Sequence, residues 1–233
     1  MQKNTAFYDA ESDRYSSKRY PPVVRSHIQA FYRTRLQALL VYLERNASPG
    51  ASLLEIGCAD GVVVRAIDDA FPHRFSNIKA VDISEKMIAQ ARRLSAGRNI
   101  KFSLRAQEER TYDFVIEIGV VNYTDASQEF SEARRTLAPG GRYVVSVAGT
   151  ESLWHRLKPR EETGFRDFRS YREYEALLRE HFTPEAVVPV GLFIPHLWKV
   201  PVLARPLQRA AEAIMRPIAP DWFQEKIYYL RAK

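Results

Sequence analysis

Small residues and one acid at fixed spacing give this sequence its clearest chemical signal. Gly57, Ala59 and Gly61 follow a short apolar run, and Asp82 comes 21 residues after Gly61. Small residues let a backbone approach a ligand without Cβ clashes, and the predicted helix that follows offers free N–H groups. An acid that ends the next strand can accept hydrogen bonds from both hydroxyls of a ribose. The pair therefore indicates a ligand of the adenosine type.

The spacing of the turn separates it from other nucleotide sites. Dinucleotide folds use G-x-G-x-x-G to bring a helix N-terminus onto a pyrophosphate. Here the spacing is G-x-A-x-G, and Val62 stands where the third glycine would fall. The sequence also lacks the G-x-x-x-x-G-K-[ST] of a P-loop. NAD, FAD and ATP in a P-loop are therefore not the expected ligands.

Alternating strands and helices are predicted to position this turn. The apolar runs predict strands at 52–56, 78–83, 100–104, 112–121, 142–148, 185–192 and 223–230. Helical spacing predicts helices at 28–43, 62–71, 84–94, 125–137 and 171–181, with Asp125 and Gln128 as a capping pair. Apolar strands that alternate with helices imply an α/β fold with a mostly parallel sheet, helices on both faces, and a last strand that returns antiparallel at the sheet edge.

Composition is that of one folded domain of 233 residues, with 45% hydrophobic and 27% charged residues. Cys58 is the only cysteine, so neither an internal disulfide nor a cysteine-based zinc site can form, and no metal site is expected. We expect a cytoplasmic protein, because the N-terminus has no apolar signal-peptide core and no run approaches the roughly 20 apolar residues of a membrane span.

Net charge leaves several partners open. The formal charge of +7 would suit an acidic partner such as nucleic acid, a phosphorylated metabolite or an anionic membrane surface. Lysine and arginine are spread along the chain without a dense basic run, which favours a solvated basic surface and argues against nucleic acid.

Four segments in a fixed order resemble the class I S-adenosylmethionine-dependent methyltransferases over most of residues 7–192. They are LEIGCADG at 54–61, VDISEKM at 81–87, YDFVIEIGVV at 112–121 and LAPGGR at 137–142. Each segment is common alone, whereas the four together at this spacing are typical of the family. The resemblance implies a Rossmann-like, doubly wound, seven-stranded sheet, with S-adenosylmethionine as cofactor and S-adenosylhomocysteine as product.

The resemblance also implies roles for single residues. Glu55 and the turn of Gly57, Cys58, Ala59 and Gly61 would hold the methionine end of the cofactor, and Asp82 would hold the ribose. Ile83 and Met87 would contact the adenine faces, and Ile118 and Gly119 would lie on the strand-4 side. Tyr8 and Tyr15 belong to a segment similar to one that folds over the cofactor in related enzymes, although simple aromatic packing is an alternative.

Two positions depart from the family pattern. Ala59 stands where the family usually has a second glycine, a change small enough to keep the turn. Many relatives have an acid after strand 3 that meets the adenine amino group, and Ala106 stands there, followed by Gln107 and Glu108. Backbone groups or Gln107 would then have to supply that contact.

Few dedicated catalytic residues are needed, because a sulfonium already carries a good leaving group and methyl transfer depends mainly on alignment. The candidates for a general base or an orienting group are His155, Glu117 and Tyr8. A surface role for His155 and a paired carboxylate for Glu117 are the alternatives. Asn122 and Tyr123 could line an acceptor pocket or simply form a loop.

The chain is expected to form one domain with three parts: an N-terminal cap and helix at 1–48, a cofactor-binding core at 49–149, and an acceptor-side region at 150–233. An insertion at 193–222 would act as a lid, or would place a basic amphipathic helix on a membrane surface. The expected activity is methyl transfer to an oxygen or nitrogen of a small metabolite, anionic or lipid-linked. The alternatives are an RNA or protein methyltransferase and a non-catalytic cofactor-binding subunit.

Overall fold

A seven-stranded sheet organises the computed structural model, which describes residues 8–105, 110–157, 169–194 and 205–233. The strands are β1 (Ala51–Ile56), β2 (Phe75–Asp82), β3 (Ile100–Leu104), β4 (Tyr112–Glu117), β5 (Leu137–Val147), β6 (Phe182–Leu192) and β7 (Phe223–Ala232). Their spatial order is β3-β2-β1-β4-β5-β7-β6. Strands β1 to β5 pair in parallel, and the order reverses between β1 and β4, which is where an open α/β sheet binds ligands.

The last strand confirms one prediction and corrects another. β7 is antiparallel to both of its neighbours, as expected. It does not lie at the sheet edge, however, because it inserts between β5 and β6 and leaves β6 as the edge strand. The long connection before β7 allows this, since the chain can pass β6 and return beside β5.

Helices cover both faces of the sheet. They are α1 (Tyr15–Arg19), α2 (His27–Asn46), α3 (Val62–Ala70), α4 (Glu85–Leu94), α5 (Ala126–Thr136), α6 (Leu153–Leu157), α7 (Tyr171–His181) and α8 (Arg205–Ile218). Side-chain caps fix where several of them begin. Ser84 caps α4 by accepting the Met87 N–H, and Asp125 caps α5 by accepting the Gln128 N–H. The Gln128 side chain bonds Glu132 instead of reaching back, so only half of the predicted capping pair forms.

Two apolar cores hold the helices to the sheet. One lies under α2, α3 and α4 and includes Phe31, Leu43 and Ile67. The other lies under α5 and α7 and includes Phe130 and Tyr174. Fully burying a side chain of this size contributes roughly 1.5–3 kcal/mol, so these two layers fix the strand ends that carry the site.

The predicted 112–121 strand is shorter in the structure. β4 ends at Glu117, and Gly119 takes a φ of +75°, which a β-strand does not contain. A 3-10 turn at Val121–Tyr123 follows. Within the described ranges, no helix is long and apolar enough to cross a bilayer.

Candidate active site

The turn between β1 and α3 is built from residues in left-handed backbone conformations. Gly57 has a φ of +72°, Ala59 of +49° and Gly61 of +77°. A Cβ on Gly57 would come within 2.2 Å of Val120 Cγ2, so only glycine fits between β1 and the end of β4. The Gly57 and Cys58 N–H groups both donate to the Val81 carbonyl, which anchors the turn to β2.

Asp82 ties this turn to the next strand. Its Oδ2 accepts the Ala59 N–H at 2.8 Å, and its Oδ1 accepts the Ser84 N–H at 3.0 Å. Burial raises the pKa of Asp82, although backbone hydrogen bonds from Ser84, Ala59 and Ile83 oppose that rise. A carboxylate has about four acceptor sites, so these bonds do not use its whole capacity.

A cavity of about 440 Å³ opens at this edge of the sheet. It is lined from the turn after β1, the end of β2 and the segment after β4. The lining includes ten residues proposed from the sequence, namely Tyr8, Tyr15, Gly57, Ala59, Asp82, Ile83, Met87, Ile118, Gly119 and Tyr123. Val120, Thr124, Asp125, Gln128, Glu129, Glu132 and Arg105 complete it.

The cavity has the volume and chemistry that an adenosyl group requires. Ligand pockets commonly span ~300–1,000 Å³ and combine apolar walls with a few fixed polar groups. Ile83, Met87 and Ile118 supply apolar walls, and Asp82 supplies acceptors for hydroxyl groups. The residues present therefore fit S-adenosylmethionine, and Asp82 is the group that would hold its ribose.

Glu55, Cys58 and Gly61 do not line the described cavity. Glu55 is 3% exposed, and among the described residues its Oε2 finds no hydrogen-bond partner. Burial raises the pKa of Glu55 to about 8, with a smaller contribution from the nearby Asp82 and Asp60 carboxylates and against a hydrogen bond from the Val64 backbone. The cofactor contact that the resemblance implies for these three residues stays a prediction.

The N-terminal segment contacts both the loop after β2 and the β1–α3 turn. In the loop after β2, Ser84 lies two residues beyond Asp82, and its hydroxyl donates to Asp9 Oδ1 at 2.5 Å. The Ser16 N–H donates to Asp60 Oδ2 at 2.9 Å, within the β1–α3 turn, and the Ser16 hydroxyl donates to the same oxygen. These contacts place Tyr8 and Tyr15 in the cavity lining.

A charged cluster at one end of the cavity was not found from the sequence. Arg105, directly after β3, pairs with Glu129 at 2.5 Å and with Glu132 at 3.0 Å, both on α5. The predicted adenine contacts Ala106 and Gln107 lie outside the described residues. The only sequence signal for the cluster is the i, i+3 spacing of the two glutamates, which any exposed helix shares.

The three candidate catalytic residues occupy different places. Tyr8 lines the cavity and hydrogen-bonds Tyr123, also in the lining. Glu117 is fully buried, accepts a hydrogen bond from the Tyr143 hydroxyl at 2.5 Å and does not reach the described lining. His155 is buried on α6, with Nδ1 3.0 Å from Ser152 Oγ, and it also lies outside that lining.

No cluster of three or more His, Cys, Asp or Glu side chains suited to a metal ion occurs in the part of the chain that the structure describes. Residues 195–204, which form part of the insertion predicted at 193–222, lie outside the described ranges.

Comparisons with known proteins agree with this geometry. A family model described as a methyltransferase domain matches residues 54–143. Malonyl-[acyl-carrier protein] O-methyltransferase of Bacillus anthracis is 31% identical over 123 residues, which cover 50% of this chain and 45% of that protein. A ubiquinone/menaquinone biosynthesis C-methyltransferase of Rickettsia bellii is 27% identical over 106 residues, 40% of this chain and 43% of that protein. The matches thus span less than half the length of these relatives.

Among solved structures, magnesium protoporphyrin IX methyltransferase from Synechocystis PCC 6803 with bound S-adenosylhomocysteine superimposes with a TM-score of 0.68. The superposition covers 99% of this chain and 100% of that chain at 17% identity, so it supports the fold. The methyltransferase domain matched at 54–143, the strand order and the Asp82 site together support a class I S-adenosylmethionine-dependent methyltransferase.

Proposed function

We propose that the protein transfers a methyl group from S-adenosylmethionine to an oxygen atom of a small anionic acceptor. The observation that carries the proposal is the cavity at the carboxyl edge of the sheet, which is lined by Asp82, Gly57 and Ala59 together with three tyrosine side chains. Asp82 and the turn can hold the cofactor, and the tyrosines can contact an acceptor in the same cavity.

When bound, the cofactor supplies a methyl group on a sulfonium, and a C–O bond forms as the S–CH₃ bond breaks with its electron pair left on sulfur. Asp82 and the β1–α3 turn hold the cofactor in position. The tyrosines hold the acceptor in position. Holding two reactants in line at near-attack distance accounts for a large part of a rate enhancement of this kind.

The tyrosines are suited to donate hydrogen bonds, not to remove protons. Burial raises the pKa of Tyr8, Tyr15 and Tyr123, so all three phenols stay protonated at neutral pH. The Arg19 guanidinium lies over the Tyr15 ring, 4.0 Å from its centroid, and is paired with Glu11. Protonated phenols can donate hydrogen bonds to an anionic oxygen, which needs to lose no proton before it attacks the methyl group. A carboxylate acceptor fits this description.

The names of the relatives support methyl transfer to small or carrier-bound molecules. They do not identify the atom that is methylated, because one relative is an O-methyltransferase and another is a C-methyltransferase. Oxygen is our choice on the basis of the protonated tyrosines. Neither Glu117 nor His155 is required in this scheme.

Calorimetry with S-adenosylhomocysteine tests the cofactor site. The wild-type protein should bind it, and Asp82→Asn should weaken binding at least about tenfold, because a hydrogen bond to a charged group contributes ~1.5–3 kcal/mol. Asp69→Asn is the matched control, since Asp69 is exposed and pairs with Arg98 away from the cavity. Absence of binding to the wild-type protein would refute the cofactor assignment.

A panel of carboxylic acids, phenols and amines, assayed for S-adenosylhomocysteine release, tests the acceptor. We expect turnover of a carboxylate, with kcat constant between about pH 6 and 9 because no base must lose its proton. Turnover of amines or phenols alone, with a rate that rises across this range, would reject the anionic-oxygen assignment. Methylated RNA or protein as the product would point to the alternative function.

A further inference from the structure

Helix α8 packs its polar side against the protein. Gln208 Nε2 lies 2.7 Å from His27 Nδ1 on α2, and it donates to Glu212 Oε1 at 3.0 Å. The same Glu212 oxygen accepts the Leu192 N–H at the end of β6. Gln208 and Glu212 are one helical turn apart, so they share one face. That face is the inner one.

The outer face of α8 is apolar. Leu207 is 62% exposed, Ile214 61% and Ile218 70%, and Ala210, Pro206 and Pro217 are exposed beside them. At about 100° per residue these positions form one continuous sector opposite Gln208 and Glu212. A helix on a water-facing surface normally has the reverse arrangement, with its apolar stripe turned toward the core. Within the described residues, nothing covers this face.

Arginines border the apolar face along one side. Arg205, Arg209 and Arg216 fall next to one another on the helical wheel, between the inner polar face and the outer apolar one. Arg33 on α2 and Arg209 are both close enough to Arg205 to interact with it electrostatically. The only acid of α8 is Glu212, and it is turned inward. The exposed part of this helix therefore carries positive charge only.

An aromatic side chain extends the surface. Trp222 follows α8 in the 3-10 turn Pro220–Trp222 and is 40% exposed. Tryptophan is enriched where an apolar phase meets water, because its ring is apolar and its N–H is polar.

We propose that α8 is an interfacial helix that docks this protein onto an anionic lipid bilayer. Leu207, Ile214 and Ile218 enter the boundary of the acyl chains, and Arg205, Arg209 and Arg216 contact lipid phosphates. An apolar face with a basic border is the pattern of helices that lie in the membrane surface, and the two features act together in binding. Charge complementarity selects this occupant over a second copy of the chain, which would present the same arginine border and no anion.

Vesicle flotation tests the proposal with the full chain. Vesicles of phosphatidylcholine with about a third phosphatidylglycerol should carry the wild-type protein to the top of the gradient, and pure phosphatidylcholine vesicles should carry much less. The double variant Ile214→Ser, Ile218→Ser should partition at least about tenfold less, since each buried CH₂ contributes ~0.8 kcal/mol. Arg209→Glu should lose most of the preference for phosphatidylglycerol, and about 0.5 M salt should weaken binding of the wild-type protein.

Leu94→Ser is the matched control, because Leu94 is an exposed leucine at the end of α4 on a different surface. It should float as the wild-type protein does. All variants should bind S-adenosylhomocysteine equally, since the altered side chains lie outside the cavity. The proposal is overturned if the wild-type protein does not float with anionic vesicles, or if the double variant floats equally well. It is also overturned if light scattering shows a dimer that the double variant dissociates, because a second copy would then cover the face.

Discussion

Ala59 donates its backbone N–H to Asp82 Oδ2 over 2.8 Å, and it does so from a left-handed conformation with a φ of +49°. Asp82 accepts a second backbone N–H from Ser84. The turn after β1 and the acid after β2 therefore form a single hydrogen-bonded unit at the cofactor cavity, and neither can shift without the other.

The strain at Ala59 predicts how glycine would behave there. A left-handed conformation costs a non-glycine residue about 1–2 kcal/mol, and Ala59→Gly removes that cost. Loss of a buried methyl group and the greater flexibility of unfolded glycine offset the gain by ~0.8 kcal/mol each. We expect the free energy of unfolding, measured in urea, to stay within roughly 0.5 kcal/mol of the wild-type value.

The same substitution in a right-handed helix provides the comparison. Ala89 is an exposed residue of α4, and Ala89→Gly should lower the free energy of unfolding by about 1 kcal/mol. Equal losses at the two positions would show that Ala59 is not strained.

The cofactor turn could be predicted from the sequence because its signals are local. Gly57, Gly61 and the apolar runs on either side fix a strand, a turn and a helix within 20 residues, from Ala51 to Ala70, and Asp82 follows at a family-like distance. The strands and helices around the turn were predicted on the same basis. The predicted elements are present, but β2, β5 and β6 begin three to five residues before their predicted starts, and β4 ends early where the Gly119 backbone leaves the strand.

Contacts between distant elements could not be predicted in this way. Arg105 reaches Glu129 from another element, and Ser16 reaches Asp60 across 44 residues of chain. These contacts depend on how separate elements pack against each other. No hydrophobic periodicity in the sequence indicates which side chains will meet. For α8 the sequence predicts two faces, but only the contacts of Gln208 and Glu212 tell which one points inward.

Buried Glu55 predicts a pH-dependent stability. Its pKa in the folded protein is about 8, whereas an unperturbed glutamate titrates near pH 4.3. Between these values the folded state keeps a proton that the unfolded state has released, so the contribution of Glu55 to stability falls as pH rises from about 4.5 to 8. Glu55→Gln removes this titration. The variant should therefore gain stability relative to the wild-type protein as the pH rises, by at most about 1.4 kcal/mol per pH unit.

Urea unfolding at about pH 5.5 and pH 8.5 measures this difference directly. Glu180→Gln is the control, since Glu180 is an exposed residue of α7 and the variant should keep a nearly constant offset from the wild-type protein. If the offset of Glu55→Gln is also constant across this pH range, then the carboxyl group is ionised in the folded protein and the predicted pKa is wrong.

The contacts of Ser16 predict that the N-terminal segment contributes to cofactor affinity. Its hydroxyl donates to buried Asp60, and the adjacent Tyr15 lines the cavity. Ser16→Ala removes a hydrogen bond to a charged group, so it should lower the free energy of unfolding by about 1.5–3 kcal/mol. Because the same contact holds Tyr15 in place, S-adenosylhomocysteine should bind about five- to tenfold more weakly in calorimetry, equivalent to ~1–1.4 kcal/mol.

Ser17→Ala separates this contact from a general effect on α1. The Ser17 hydroxyl is exposed and donates to the Arg14 carbonyl within the same short segment, so its loss should change stability by less than about 0.5 kcal/mol and leave the Kd unchanged. A Ser16→Ala protein that is less stable but binds S-adenosylhomocysteine with wild-type affinity would show that Ser16 supports the fold alone. In that case Tyr15 would be held at the cavity by its other contact, the Arg19 guanidinium that lies over its ring.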